Sequence, residues 1–258
     1  MCFETVEIVL CSIFPCWPVN NITNFKCFTI SYPFLVIVLC SVSSAWNTWF
    51  ISVFMLIGFS TPSLLHGQQR RFGVVDRAGA LAAGIRLVSQ PQPALVAGHA
   101  FTSGEIPLAS FEQPISPTLF RPGAGCAREL LAPEKRELTL VPDDMRHELA
   151  TCYVVKGRGL VVTTSCGHRG ILNTIARARS IAGVNHVHAV VGGFHLVWPR
   201  PEQDVRLTVD ALESVNPDFI VPMHCSGDPF IAEVQKRMPG KVIRSYVGSR
   251  FTFDAASA

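Results

Sequence analysis

Charged residues are scarce in this chain, and one long stretch has none at all. Asp, Glu, Lys and Arg make up 16% of the 258 residues, whereas about a quarter is usual for a soluble protein. No Asp, Glu, Lys, Arg or His occurs from Cys27 to Leu65. The formal net charge of +3 is small and is not gathered into a basic patch, so we expect no nucleic-acid partner.

The nine cysteines lack a regular spacing. Five of them lie in the first 40 residues, and the other four are Cys126, Cys152, Cys166 and Cys225. An odd number without a repeated spacing argues against a disulfide framework. Free thiols are typical of reducing compartments, so we expect the part of the chain after residue 65 to be cytoplasmic.

The N-terminal region lacks the basic start of a secretory signal peptide. Its apolar stretch, residues 32–59, predicts one transmembrane helix within residues 30–60, because a span needs about 20 apolar residues. Arg70 and Arg71 follow the stretch, which predicts that the rest of the chain is on the cytoplasmic side. Two interpretations of residues 1–65 stay open: a membrane anchor, or a non-native extension from a misplaced start. Residues 66–258 form the second region.

From residue 155 onward, short apolar runs alternate with amphipathic stretches that have helical periodicity. This alternation predicts an α/β fold in which helices cover a sheet. The predicted strands are residues 155–164, 186–191, 219–223 and 242–246, and the predicted helices are residues 170–182, 201–215 and 229–238.

A histidine follows each of the first three predicted strands, in "SCGHRG", "VGGFHL" and "VPMHCSG". Ligands of α/β sheets gather beyond the carboxyl ends of the strands, and imidazole is a common ligand for zinc and also suits iron. A single histidine at such a position is more often structural. Three at equivalent positions predict a shared metal site formed by His168, His195 and His224.

The other histidines and cysteines nearby are interpreted as structural. His186 and His188 have the alternation of one strand face, which predicts that they lie on the strand surface and are not ligands. Cys166 could be a metal ligand or a small turn residue. Cys225 is expected to point away from His224, because neighbours on a strand alternate. We therefore expect neither cysteine to be a metal ligand.

Seven stretches of the chain, between about residues 69 and 253, together resemble the metallo-β-lactamase superfamily. Within it they resemble the 7,8-dihydropterin-6-ylmethyl-4-(β-D-ribofuranosyl)aminobenzene 5′-phosphate synthase branch. The stretches are "SGEIP", "FEQP", "PDDMRHELA", "GLVVTTSCGHRGI", "HAVVGGFHL", "NPDFIVPMHCSG" and "VGSRFTF".

The resemblance implies the C-terminal part of a four-layer αββα sandwich with a two-metal site at the edge of its paired sheets. It also implies that His168 and His224 each complete one metal, and that His195 is a ligand or contacts substrate. The main motif of that superfamily, His-x-His-x-Asp-His, is absent, and the first aspartate of the chain is Asp76. We therefore expect one zinc or iron ion or none, and we expect the strands of the opposite sheet to be missing.

Three hypotheses for the function stay open. The first is a metal-dependent hydrolase or synthase that acts on a pterin or a phosphoester-type small molecule. The second is a catalytically inactive, membrane-tethered remnant of the fold. The third is a truncated chain whose complete form carries the missing motif. Enzymatic activity and oligomeric state are left open.

Overall fold

The structure is a computed structural model that describes thirteen ranges of the chain. They are residues 5–12, 36–44, 47–54, 61–65, 68–72, 81–82, 88, 90–96, 98, 100–114, 119–120, 133–246 and 248–257.

The described residues form fourteen strands and four helices. The strands are β1 (Thr5–Ser12), β2 (Val36–Ser44), β3 (Asn47–Phe54), β4 (Thr61–Leu65), β5 (Gln68–Phe72), β6 (Ala94–Val96), β7 (Ala100–Thr102), β8 (Leu119–Phe120), β9 (Val141–Pro142), β10 (Thr151–Val155), β11 (Gly159–Thr163), β12 (Val187–Gly192), β13 (Phe219–Pro222) and β14 (Arg250–Asp254). The helices are α1 (Pro133–Arg136), α2 (Ile171–Ala182), α3 (Glu202–Val215) and α4 (Asp228–Arg237).

Six strands form the main sheet, in the order β13-β12-β11-β10-β7-β6. β11, β12 and β13 are parallel, and α2 and α3 connect them in the chain. β10 is antiparallel to both β11 and β7. The carboxyl ends of the three parallel strands therefore lie side by side at one edge of the sheet.

The three longer helices agree with the periodicity of the sequence. α2 buries Ile171, Ile175 and Ala178 on one face. Gly183 caps its C-terminal end with a positive φ of 65°, which suits glycine. The predicted strand at residues 242–246 is not formed as such, because only Val242 makes a bridge, with Ile220 of β13.

Apolar side chains cover both faces of the main sheet. On one face Phe194, Leu212 and Phe230 belong to the core formed with the helices. On the other face Tyr153 and Val221 pack in a cluster that includes Phe253 of β14. β14 is part of a second sheet, in the order β14-β1-β2-β3, so this sheet lies against the main sheet on the side opposite the helices.

The N-terminal region differs from both sequence-based expectations. β2 and β3 pair as antiparallel strands where a helical span within residues 30–60 was predicted. β1 pairs with β14, so strands of an opposite sheet are present, contrary to the prediction that they are missing. A physical reason is the content of β-branched residues, such as Val36, Ile37 and Val38, which favour strands over helices.

None of the helices in the described part of the chain has both the length and the apolar character that crossing a bilayer requires. The boundary between residues 1–65 and 66–258 stays a prediction.

Replacing Phe230 with alanine should lower the free energy of unfolding by about 3–5 kcal/mol. The Phe230 ring is fully buried and packs edge-to-face on Phe194 with ring centroids 5.4 Å apart, so its removal leaves a cavity beside the turn that carries His195. Phe111→Ala is the matched control, because Phe111 is 42% exposed, and it should cost about 1 kcal/mol or less. Urea unfolding measures both, and equal losses would contradict this core assignment.

Candidate metal centre

Three turns meet at the carboxyl edge of the parallel strands. They follow β11, β12 and β13 and carry His168, His195 and His224. Gly193 N donates a hydrogen bond of 2.9 Å to Ser165 O, and Met223 N donates one of 3.0 Å to Gly192 O. The middle turn is therefore bonded through its backbone to both outer turns.

Glycine is required where the turns touch. A Cβ atom added at Gly167 would lie 2.6 Å from Gly193 O, and one added at Gly193 would lie 2.4 Å from Ser165 O. Both distances are far below ordinary van der Waals contact. These two glycines therefore let neighbouring backbones approach each other.

The rings of His168 and His195 lie in contact, with centroids 3.9 Å apart and an interplanar angle of 40°. Burial and the neighbouring His195 lower the pKa of His168 to about 2, and burial and the Arg200 guanidinium lower the pKa of His195 to about 4. Both imidazoles are therefore neutral at neutral pH, which is the form that binds metal.

The Nδ1 atom of His168 is buried and has no hydrogen-bond partner among the described residues. Buried polar atoms are nearly always paired, so an unpaired nitrogen on a neutral ring suits a ligand that the protein alone does not supply. His168 and His195 therefore offer nitrogens that suit zinc or iron. Among the described residues, the ligand atoms of His168, His195 and His224 are not all within 4.8 Å of one another.

Two of the three histidines have an unusual backbone. His195 and His224 have φ values of 45° and 51°, a left-handed conformation that is uncommon outside glycine and asparagine and costs about 1–3 kcal/mol. Strain of this kind clusters at functional sites. Arg200 supports the His195 turn, because its Nε donates to His195 O at 3.1 Å and its guanidinium also donates to Gln113 O.

A buried carboxylate holds the turn that carries His168. Glu148 accepts hydrogen bonds from His168 N at 2.9 Å and from Arg169 N at 2.7 Å, and burial raises the pKa of Glu148 to about 7. The Arg169 side chain donates to Ile106 O and Asp144 O, both at 2.8 Å. The "PDDMRHELA" stretch therefore braces the first turn.

A second buried carboxylate holds the start of α2. Glu112 accepts hydrogen bonds from Leu172 N at 2.8 Å and Asn173 N at 3.3 Å. Asn173 Oδ1 accepts from Ala109 N at 2.8 Å and Ser110 N at 2.7 Å. Sequence analysis assigned no role to Glu112 or Glu148. A signal was present, since both acidic residues lie in stretches that carry the family resemblance.

Two cysteines lie close to His224, namely Cys166 in the turn after β11 and Cys225 in the turn after β13. The ligand atoms of Cys166, His224 and Cys225 all lie within 4.8 Å of one another. The expectation that Cys225 points away from His224 is wrong. β13 ends at Pro222, and the left-handed backbone at His224 stops the alternation of side chains on which that expectation rested.

His186 and His188 lie at the amino end of β12, away from the three turns. His186 Nε2 and His188 Nδ1 form hydrogen bonds of 2.9 Å and 2.7 Å with the same atom, Asp218 Oδ2. His186 is exposed, but His188 is buried, so only the first is a surface residue. They remain outside the candidate centre.

Comparison with known proteins supports the same fold. No family model matches the chain. Over 113 residues it is 30% identical to 7,8-dihydropterin-6-methyl-4-(β-D-ribofuranosyl)-aminobenzene-5′-phosphate synthase of Methanocaldococcus jannaschii, and the match covers 41% of this chain and 38% of that protein. The chain therefore matches well under half the length of this relative.

Among solved structures, the chain is similar to Tm1679, described as a metal-dependent hydrolase of the β-lactamase superfamily. The TM-score is 0.59 with 20% sequence identity, over 75% of this chain and 68% of that one. The resemblance to the metallo-β-lactamase superfamily is thus confirmed, and the fold is a mixed α/β sheet with helices, similar to that of the superfamily.

Glu148→Gln should lower the free energy of unfolding by about 1–3 kcal/mol. The amide keeps one acceptor oxygen, but its NH₂ group faces one of the two backbone donors, which is then left buried and unpaired. Glu105→Gln is the control, since the ion pair of Glu105 with Arg146 is exposed and such pairs contribute about 1 kcal/mol or less. Urea unfolding compares the two, and a smaller loss for Glu148→Gln than for Glu105→Gln would contradict the bracing role.

Proposed function

We propose that this chain is a metal-dependent hydrolase-like protein with the metallo-β-lactamase fold, and that it acts on a pterin or phosphoester-type small molecule. The ligands of its zinc or iron ion would be His168, His195 and His224. The observation that carries the proposal is that the three strand-end histidines lie in neighbouring turns at one edge of the sheet. Two of their rings are in contact, and one buried nitrogen is unpaired.

Each residue of the centre has a defined part in this proposal. His168 and His195 offer neutral nitrogens in a largely buried setting. His224 is exposed, so it lies where substrate enters from solvent. Glu148 and Arg200 fix the backbones of the His168 and His195 turns. A bound zinc or iron ion would supply Lewis acidity toward a phosphoryl or carbonyl oxygen.

The substrate class comes from the relative rather than from this chain. The relative is named for a dihydropterin compound that carries a phosphate ester. The matched 113 residues cover 41% of this chain, so the substrate stays a proposal. A phosphoester substrate suits a metal centre at this edge of the sheet, because a metal ion polarises the phosphoryl oxygens.

The second candidate function is a catalytically inactive protein that keeps the fold. The absence of His-x-His-x-Asp-His from the sequence favours it, since that motif supplies four ligands in the superfamily that the chain resembles. Three imidazoles suffice for one zinc ion in known catalytic sites. Metal binding with no turnover of phosphoesters or dihydropterins would support this candidate over the first.

Metal content of the purified full-length chain tests the histidine assignment. His168→Ala and His224→Ala should each lower the zinc or iron that survives exhaustive dialysis, because each removes one ligand of the centre. His188→Ala should leave the metal content unchanged, because His188 bonds to Asp218 outside the centre. Elemental analysis gives the ratio of metal to protein. Equal metal content in all three variants would refute the assignment.

Activity requires a separate measurement. Wild-type protein loaded with zinc or iron should release phosphate or alcohol from small phosphoesters, and removal of the metal by a chelator should abolish the reaction. His188→Ala should retain the wild-type rate, whereas His168→Ala should lose it by about 100-fold or more, since metal-assisted catalysis depends on a complete ligand set.

A further inference from the structure

We propose that Cys166, His224 and Cys225 form a second metal-binding site, in which two thiolates and one imidazole hold zinc or another thiophilic divalent cation. This goes beyond the proposed function. The sulfur site requires neither His168 nor His195, although it shares His224 with the three-histidine centre.

The three residues come from two turns that are distant in sequence and close in space. Cys166 lies beyond β11, whereas His224 and Cys225 lie beyond β13. Their ligand atoms are all within 4.8 Å of one another. Around a tetrahedral zinc ion, ligand atoms lie about 3.5–3.8 Å apart, given bond lengths of about 2.3 Å to sulfur and 2.0 Å to nitrogen. Small movements therefore bring all three atoms to bonding distance.

Backbone contacts hold the Cys225 sulfur in this arrangement. Cys225 Sγ donates a hydrogen bond of 3.2 Å to Cys166 O. Gly193 of the middle turn leaves the space that the sulfur occupies, since an added Cβ would lie 2.9 Å from Cys225 Sγ and 3.0 Å from the Cα atom of Cys166. His224 has a left-handed backbone, and its ligand nitrogen lies within 4.8 Å of both sulfurs.

The donor set suits zinc better than it suits a hard cation. Two thiolates cancel the charge of a divalent ion, and sulfur ligands select zinc and other soft or borderline metals. Cys₂His is a known ligand set of catalytic zinc with an open fourth position. Cys166 is buried, Cys225 is half-buried and His224 is exposed, so a cation can enter from the His224 side. Binding would release the two thiol protons to solvent.

Cys152 is a matched control within the same chain. It is a free, fully buried cysteine, and it lies in β10, which is not one of the strands that carry the three turns. A general effect of removing a buried thiol would appear in Cys152→Ala as well, whereas a loss of metal ligation would not.

Cobalt(II) substitution tests the sulfur site in the full-length chain. The protein is purified with a non-thiol reductant, stripped of metal by a chelator and titrated with cobalt(II). Wild type and Cys152→Ala should both develop the intense near-ultraviolet absorption of thiolate-to-cobalt charge transfer, which zinc should then displace. Cys166→Ser and Cys225→Ser should lose that absorption and should bind cobalt at this site about tenfold more weakly or worse. Their circular dichroism spectra should match that of the wild type, which shows that both variants are folded.

His168→Ala separates this site from the three-histidine centre. It should keep the charge-transfer absorption, although its total metal content is lower. If wild type binds cobalt without that absorption, the sulfur site is overturned, whether or not any variant folds. The histidine assignment would still stand in that case if His168→Ala lost the cobalt. Retention of the absorption in both serine variants would also overturn the sulfur site. So would a Cys166–Cys225 disulfide, if mass spectrometry detected one in protein purified with the reductant.

Discussion

The hydrogen bond from Gly193 N to Ser165 O joins the turn after β12 to the turn after β11, and the closeness of these two turns is possible only without side chains at Gly167 and Gly193. The parallel pairing of β11, β12 and β13 aligns the ends of the strands. It does not by itself bring side chains from different turns into contact. The backbone contact does so, and both candidate metal sites depend on it.

Buried carboxylates from distant segments hold these turns through hydrogen bonds to their backbone N–H groups. Glu148 and Glu112 satisfy backbone N–H groups at the His168 turn and at the start of α2. Burying each carboxylate has a desolvation cost, which raises the pKa of both groups. Two backbone hydrogen bonds to each offset that cost. Ligand-bearing residues are held in place in this way before any metal arrives, which is the condition for tight binding at a small cost in entropy.

Periodicity predicted the local elements well, because burial against a sheet imposes an apolar stripe on α2 and α3. The neighbouring positions of the turns that carry His168, His195 and His224 could be predicted from parallel strand order, but the contact between the His168 and His195 rings could not. The position of Cys225 could not be predicted, since it depends on the left-handed backbone of His224. The backbone partners of Glu112 could not be predicted either, because Leu172 and Asn173 lie about 60 residues further along the chain. β2 and β3 lie in an apolar run whose composition suits either a membrane helix or buried strands.

Charge balance distinguishes the two proposed metal sites at this edge. Three neutral imidazoles leave the charge of a divalent ion uncompensated, so the ion keeps its power to polarise a phosphoester oxygen. Two thiolates cancel that charge and donate electron density, which favours retention of the metal over Lewis acidity. His224 belongs to both proposed donor sets, and it is exposed. A cation bound through the sulfurs would therefore compete for the imidazole that the proposed three-histidine site needs, and the occupancy of one site would limit the chemistry of the other.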